Sequence, residues 1–286
     1  MDRKTRVALL SVGSNILLVI LKIVAGILSG SISIISEAMH SGVDLLASVI
    51  AFISVKTSSR PADEKHPYGH GKMENISGFI EGLLIFIAAI AIIKEAINKM
   101  IEPVSIEQAP VAIVVMFFAA IVNFFVSRKL HIVSKEEDSQ ALEADSLHLK
   151  TDVYTSLGVG VGIALVKLTG ISILDPIVAL LVALLIIKEA YELSSNAFNI
   201  LLDGSLPEDE LNIVIKAIES HKNEFLDYHK LKTRKAGSMK YIDFHITVPK
   251  EMTVERSHQI QGNLKKDLKD ALVNTRVNVH IDPEKK

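Results

Sequence analysis

Two histidine–carboxylate pairs stand out. His40 and Asp44 lie four residues apart within a long apolar run, and His148 and Asp152 repeat the spacing in a later one. Four residues on a helix is one turn, so each pair shares a face. An ionisable group at bilayer depth costs on the order of 3 kcal/mol, and a cluster of four must be mutually neutralised or hold something. Two imidazoles and two carboxylates from two helices can make a tetrahedral N2O2 site, whose geometry and softness suit zinc, with cadmium, iron and cobalt behind it. The competing reading is that the pairs lock two helices together without a metal. One such pair would say little; the duplication makes the signal specific. Glu37 and Glu81 are single carboxylates in similar runs, which could face a water-filled vestibule or sit near an interface.

Two further groups could bind metal. Asp63, His66 and His70 are spaced by three and four in a loop bent by Pro67, Gly69 and Gly71, and could form a second site or simply face water. His229, His245, His258, His280 and Asp282 are spread through the C-terminal segment. His245 and the His280-x-Asp282 pair fall in alternating stretches, where period two places side chains on a common face, although each also reads as a surface residue. With no cysteine in the chain, any metal must be held by imidazole and carboxylate.

The elements that position these residues point to a membrane. Of 286 residues, 49% are hydrophobic, and the mean hydropathy of +0.35 exceeds that of an ordinary soluble domain. Six stretches are long enough to cross roughly 30 Å of hydrocarbon, at about 7–29, 32–56, 76–98, 110–131, 144–168 and 174–198. The first follows a basic N-terminus but is too long for a signal peptide and lacks an evident cleavage site. Positive charge collects in alternate loops, with Arg3, Lys4 and Arg6, then Lys56, Arg60, Lys65 and Lys72, then Arg128, Lys129 and Lys135 on one side. That asymmetry expects both termini in the cytoplasm. Gly158 and Gly162, one turn apart, would let another helix approach closely.

Residues 1–206 are therefore expected to form an all-α, six-helix transmembrane domain and 207–286 a cytoplasmic α+β domain. In the latter, helical spacing over 208–220 and 257–272 flanks alternating strands at 228–235, 241–248 and 276–281, with helices on one face of the sheet. A net charge of -2 with no basic stripe excludes a nucleic-acid partner.

Together these motifs resemble the cation diffusion facilitators, specifically the bacterial zinc and iron efflux branch. The signatures are the His40/Asp44 and His148/Asp152 pairs, the loop from Asp63 through His66, His70 and Lys72, the Leu202-Asp203-Gly204 segment, and the series from His229 to Asp282. The resemblance covers essentially the whole chain. It implies a homodimer with a transport site in each protomer, a loop site, and a binuclear site in a ferredoxin-like cytoplasmic domain that helps hold the dimer. It also implies a charge interlock between Lys72 and Asp203. Members often have Asp where this chain has His40, and the His40 version is similar to the zinc-preferring pattern.

The expected function is efflux of Zn2+, with Cd2+ and Fe2+ as other candidates, by proton antiport across the cytoplasmic membrane, and not an enzymatic activity. The alternatives are an intramembrane zinc hydrolase, which the missing His-Glu-x-x-His and a four-ligand site without an open position disfavour, and a passive channel or metal sensor.

Overall fold

The computed structural model describes residues 2–29, 32–101, 110–171 and 173–285, with side chains at all of these except 26, 28, 29, 32–37, 39, 40, 43, 110–113, 159, 160, 162–164 and 167. The chain divides into two compact units, Met1–Phe198 and Asn199–Lys286.

Among the described residues, the first unit is built from long helices: α1 (Arg3–Ser29), α2 (Ile32–Ser58), α3 (Lys72–Ile101), α4 (Pro110–Glu136), α5 (Gln140–Thr169) and α6 (Leu174–Leu201). Each contains the stretch expected from hydropathy and runs a few residues beyond it. The arrangement inverts that of a water-soluble bundle. Ile27, Phe117, Phe125 and Leu181 point outward and are 63–70% exposed, whereas Ser11, Asn75, Glu81 and Asp145 are fully enclosed. Apolar surface outside and polar groups inside is the solution demanded by hydrocarbon as solvent. Among the described residues, three helical segments are individually long and apolar enough to cross a bilayer: Arg3–Ala25, Lys72–Ile101 and Val114–Glu136.

In lipid, helices gain little from apolar contact and associate through close packing and interhelical hydrogen bonds. Both appear here. A Cβ at Gly82 on α3 would meet Ser194 Oγ of α6 at 2.2 Å, and one at Gly158 on α5 would meet Val182 Cγ2 of α6 at 2.9 Å. The close approach expected at Gly158 is thus made to α6; the surroundings of Gly162 lie outside the described residues. Asn15 donates to Ser48 at 3.1 Å between α1 and α2, and Asn75 to Gln140 at 2.7 Å between α3 and α5. Ser127 on α4 and Ser146 on α5 donate to each other's backbone carbonyl at 2.9 Å. At one end of the unit the buried carboxylate of Glu74 receives Lys4 Nζ at 2.8 Å, Ser58 Oγ at 2.7 Å and the hydroxyl of Ser139, pinning α1, α2 and the start of α5 to α3.

The second unit comprises α7 (Glu208–Glu219), β1 (Asp227–Ala236), β2 (Met239–Val248), α8 (Val254–Ala271) and β3 (Thr275–Pro283). The sheet order is β1-β2-β3, with β1 and β2 antiparallel and β3 parallel to β2 through the α8 crossover. From Ile242 onward the alternation along β2 is strict. Ile242, Phe244, Ile246 and Val248 are buried against Val214 and Ile218 of α7 and Ile260, Leu264 and Leu268 of α8. Asp243, His245 and Thr247 consequently face the other side of the sheet. The side chain of Thr253 caps α8 by accepting from the backbone N–H of Arg256 at 3.2 Å.

His221, just after α7, bridges two carboxylates: Nδ1 lies 2.7 Å from Glu224 and Nε2 2.8 Å from Asp267 on α8. Partial burial disfavours its charge, but the two hydrogen bonds outweigh that and raise its pKa above the ordinary 6.5. A raised folded-state pKa gives a stabilising contribution that is complete below 6.5 and is lost as pH rises through the elevated value. Amide-exchange protection of α8 is therefore expected to weaken from pH 6 to pH 9 in the native chain and to change less in His221→Gln. Identical pH profiles for the two proteins would show that the bridge does not hold α8.

Candidate metal centres

Inside the helical unit, α5 presents His148 and Asp152 on one face, and α2 packs alongside with Asp44. Nε2 of His148 lies 3.0 Å from Oδ1 of Asp44. Asp152 accepts a hydrogen bond from Asn123 Nδ2 of α4 at 3.2 Å, which orients its carboxylate. One ligand atom from each of Asp44, His148 and Asp152 falls within 4.8 Å of the others. Asp44 and His148 are buried, at 4% and 8% exposed, so water screens their contact little, while Asp152 is partly buried. This is an N/O donor set of the kind that holds zinc and its neighbours. His40 shares α2, but its side chain lies outside the described residues, as does that of Glu37.

The loop between α2 and α3 gathers Asp63, His66 and His70 around one carboxylate. Asp63 Oδ1 accepts the backbone N–H groups of Lys65 at 3.0 Å and His66 at 2.6 Å, and also lies 3.1 Å from His66 Nδ1. Its Oδ2 is 3.5 Å from His70 Nε2, and the two imidazoles lie 4.5 Å apart. The N–H of His66, followed by its ring, holds the Asp63 carboxyl below the usual carboxylate range. Gly69 makes the turn at φ +89°, a conformation that side chains resist.

In the second unit the strand register lines up His229, His245 and His280 as direct cross-strand neighbours. Asp282 is the hub: its Oδ2 lies 2.8 Å from His245 Nδ1 and 3.2 Å from His229 Nε2, and its Oδ1 3.3 Å from His280 Nε2. The hydrogen bond from His245 is the main cause of its lowered pKa. His229 reaches this face through a β-bulge. One extra residue between His229 and Lys232, with Lys230 at φ +52°, resets the alternation so that Leu231 still packs on the core.

Residues 8–202 match the profile of the cation efflux transmembrane domain, and residues 206–284 that of the cation efflux protein cytoplasmic domain. The chain belongs to the cation diffusion facilitator family. Its relatives include an uncharacterised transporter of Synechocystis, 34% identical over 96% of this chain and 89% of that protein. A transporter of Methanocaldococcus jannaschii is 32% identical over 96% of both chains. The cation-efflux pump FieF of Shewanella oneidensis is 30% identical over 96% of this chain and 92% of that one. This facilitator is accordingly a multi-pass membrane protein of a transporter family that moves metal cations, not an enzyme.

Of the residues singled out from sequence, the facilitator brings Asp44, His148 and Asp152 together, Asp63 with His66 and His70, and His229, His245 and His280 around Asp282. His258 does not join the last group within the chain: it is exposed on α8, which packs on the opposite face of the sheet. Lys72 and Asp203 belong to different units, and within its own unit Asp203 lies 3.4 Å from Arg234 Nη1. Sequence reasoning passed over Asn123, which orients Asp152, and Asp145. The latter sits three residues before His148 and seven before Asp152, a spacing that already placed it on the same face.

Three imidazoles converge on Asp282, so Asp282→Ala is expected to weaken the first zinc equivalent bound by the sheet face by roughly 100-fold, the upper end of losses seen on altering a metal-site shell. His258→Ala is expected to leave that affinity within about threefold, because its side chain lies off that face. Calorimetric titration of the full chain reads both, and equal losses in the two variants would contradict this arrangement.

Proposed function

We propose that this cation diffusion facilitator exports a divalent transition metal, zinc foremost and Cd2+ or Fe2+ next, from the cytoplasm in exchange for protons. The transport site is formed by His40, Asp44, His148 and Asp152. The observation that carries the reading is the 3.0 Å contact between His148 Nε2 and Asp44 Oδ1. A metal can bind that nitrogen only when it carries no proton, so cargo and proton compete for one atom. Zinc arriving from the cytoplasm displaces the proton and separates the pair. Protonation from the opposite side restores the pair and expels zinc.

Competition at a single site supplies the coupling without a second binding event, provided helix motion exposes the site to each side in turn. Proton exchange also offsets electrical work, which is about 2.3 kcal/mol per charge against 100 mV. An N/O donor set with two carboxylates and imidazole favours zinc over the harder alkaline-earth ions.

The remaining parts are assigned as follows. The chain crosses the cytoplasmic membrane six times with both termini in the cytoplasm, and residues 207–286 form a ferredoxin-like cytoplasmic regulatory domain. Two chains form a homodimer, and zinc at His229, His245, His280 and Asp282 draws the two cytoplasmic domains together. Asp63, His66 and His70 form the loop site, and Lys72 with Asp203 forms a charge interlock near the membrane surface.

Zinc flux into proteoliposomes loaded with a fluorescent indicator tests the central assignment. Native flux is expected to follow an imposed pH gradient and to drop to the protein-free background in Asp44→Ala and in Asp152→Ala. Flux that ignores the gradient would favour a channel, and flux that survives both substitutions would remove the site from the transport path.

A further inference from the structure

Close to the Asp44, His148 and Asp152 group lie two carboxyl groups that the exchange just described does not use. Glu81 on α3 and Asp145 on α5 are both 0% exposed. Their helices pack together, and the two carboxyl groups act on each other electrostatically. Glu81 Oε1 accepts from Ser77 Oγ at 2.9 Å, but Glu81 Oε2 has no hydrogen-bond donor, and Asp145 has at most the hydroxyl of Ser11 beside it. The hydroxyl of Ser11 on α1 is likewise enclosed and lies within hydrogen-bonding reach of the Asp145 carboxyl. Four oxygen atoms from three helices are therefore held in the interior with no more than the Ser11–Asp145 hydrogen bond among them, and Glu81 Oε2 with none.

Buried oxygens of this kind remain unpaired only at a cost, and carboxylates retain charge there when a cation compensates them. The basic group that acts on both, His148, is already engaged with Asp44 at 3.0 Å. We propose that Glu81 and Asp145, with the hydroxyl of Ser11, form a second intramembrane cation site that takes a divalent ion through oxygen atoms alone. Such a ligand set suits a harder ion than the N/O group does, with Mn2+ as a convenient probe. Asp145 is three residues from His148, about 4.5 Å along the helix axis, so ions at the two sites repel and filling one loosens the other. That proximity gives the site a use as a staging position beside the transport site.

The proposal stands apart from the zinc–proton exchange and is tested separately. Full-length protein in nanodiscs is titrated with Mn2+, electron paramagnetic resonance counts bound ions, and electron–nuclear double resonance detects any histidine nitrogen on them. The expected result is one bound Mn2+ per chain that carries no nitrogen coupling. It is lost in Glu81→Gln and in Asp145→Asn and retained in Asp44→Ala, which alters the N/O group. Glu81→Asp, which keeps the carboxylate, is expected to hold the ion more weakly and so separates loss of ligation from loss of fold. Absence of a nitrogen-free Mn2+ in the native protein would overturn the site and leave the carboxyl pair as a proton carrier. Its persistence in Glu81→Gln would overturn it in favour of binding elsewhere.

Discussion

The organising constraint is that charge enclosed in a low-dielectric interior must be compensated. The contact between His148 and Asp44 meets it within the helical unit, at 3.0 Å and with both groups buried. Breaking such a pair by removing one partner leaves an uncompensated charge, a loss that typically runs to about 3–5 kcal/mol. Substituting a divalent cation for the proton between them leaves no such debt. The same feature that makes the pair expensive to dismantle therefore makes it receptive to metal, and much of the surrounding structure serves to bring α2 and α5 into register for it.

That register is set by polar groups that lipid cannot satisfy. Asn15 with Ser48, Ser127 with Ser146 and Asn75 with Gln140 each join a different pair of helices, and Asn123 reaches across from α4 to the site itself. Glu74 gathers three helices at one end of the unit, through Lys4, Ser58 and Ser139. Small residues let the backbones approach: Gly82 and Gly158 each meet α6 where a side chain would not fit without adjustment. Packing in the second unit follows the opposite solvent logic, with an apolar core between the helices and one sheet face and the histidines on the other.

What could be read from sequence alone was whatever depends on a single element's periodicity. The shared face of His148 and Asp152 follows from four-residue spacing, and the outward side of His245 follows from strand alternation. Relations between elements were legible only where a repeated motif pointed to them, as the two His-x-x-x-Asp pairs pointed to one shared site; the packing geometry that achieves it was not. That Asp44 approaches His148 depends on how α2 is rotated against α5, which one chain's hydropathy does not encode. The β-bulge before Lys232 was invisible because no glycine marks it, Lys230 taking the positive φ instead. Asp145 shares the face of His148 by spacing but lies outside the repeated His-x-x-x-Asp pattern, so the motif itself does not mark it. Glu81 was visible only as a solitary carboxylate until the fold placed it against α5.

The most direct measurement is zinc-edge anomalous diffraction from crystals of the full chain equilibrated with zinc. The account requires an anomalous peak inside the helical unit, about 2.0–2.2 Å from an imidazole nitrogen of His148 and from carboxylate oxygens of Asp44 and Asp152. Zinc found only on the loop and on the sheet face, with His148 still paired to Asp44, would contradict the claim that this buried group is where the cargo binds.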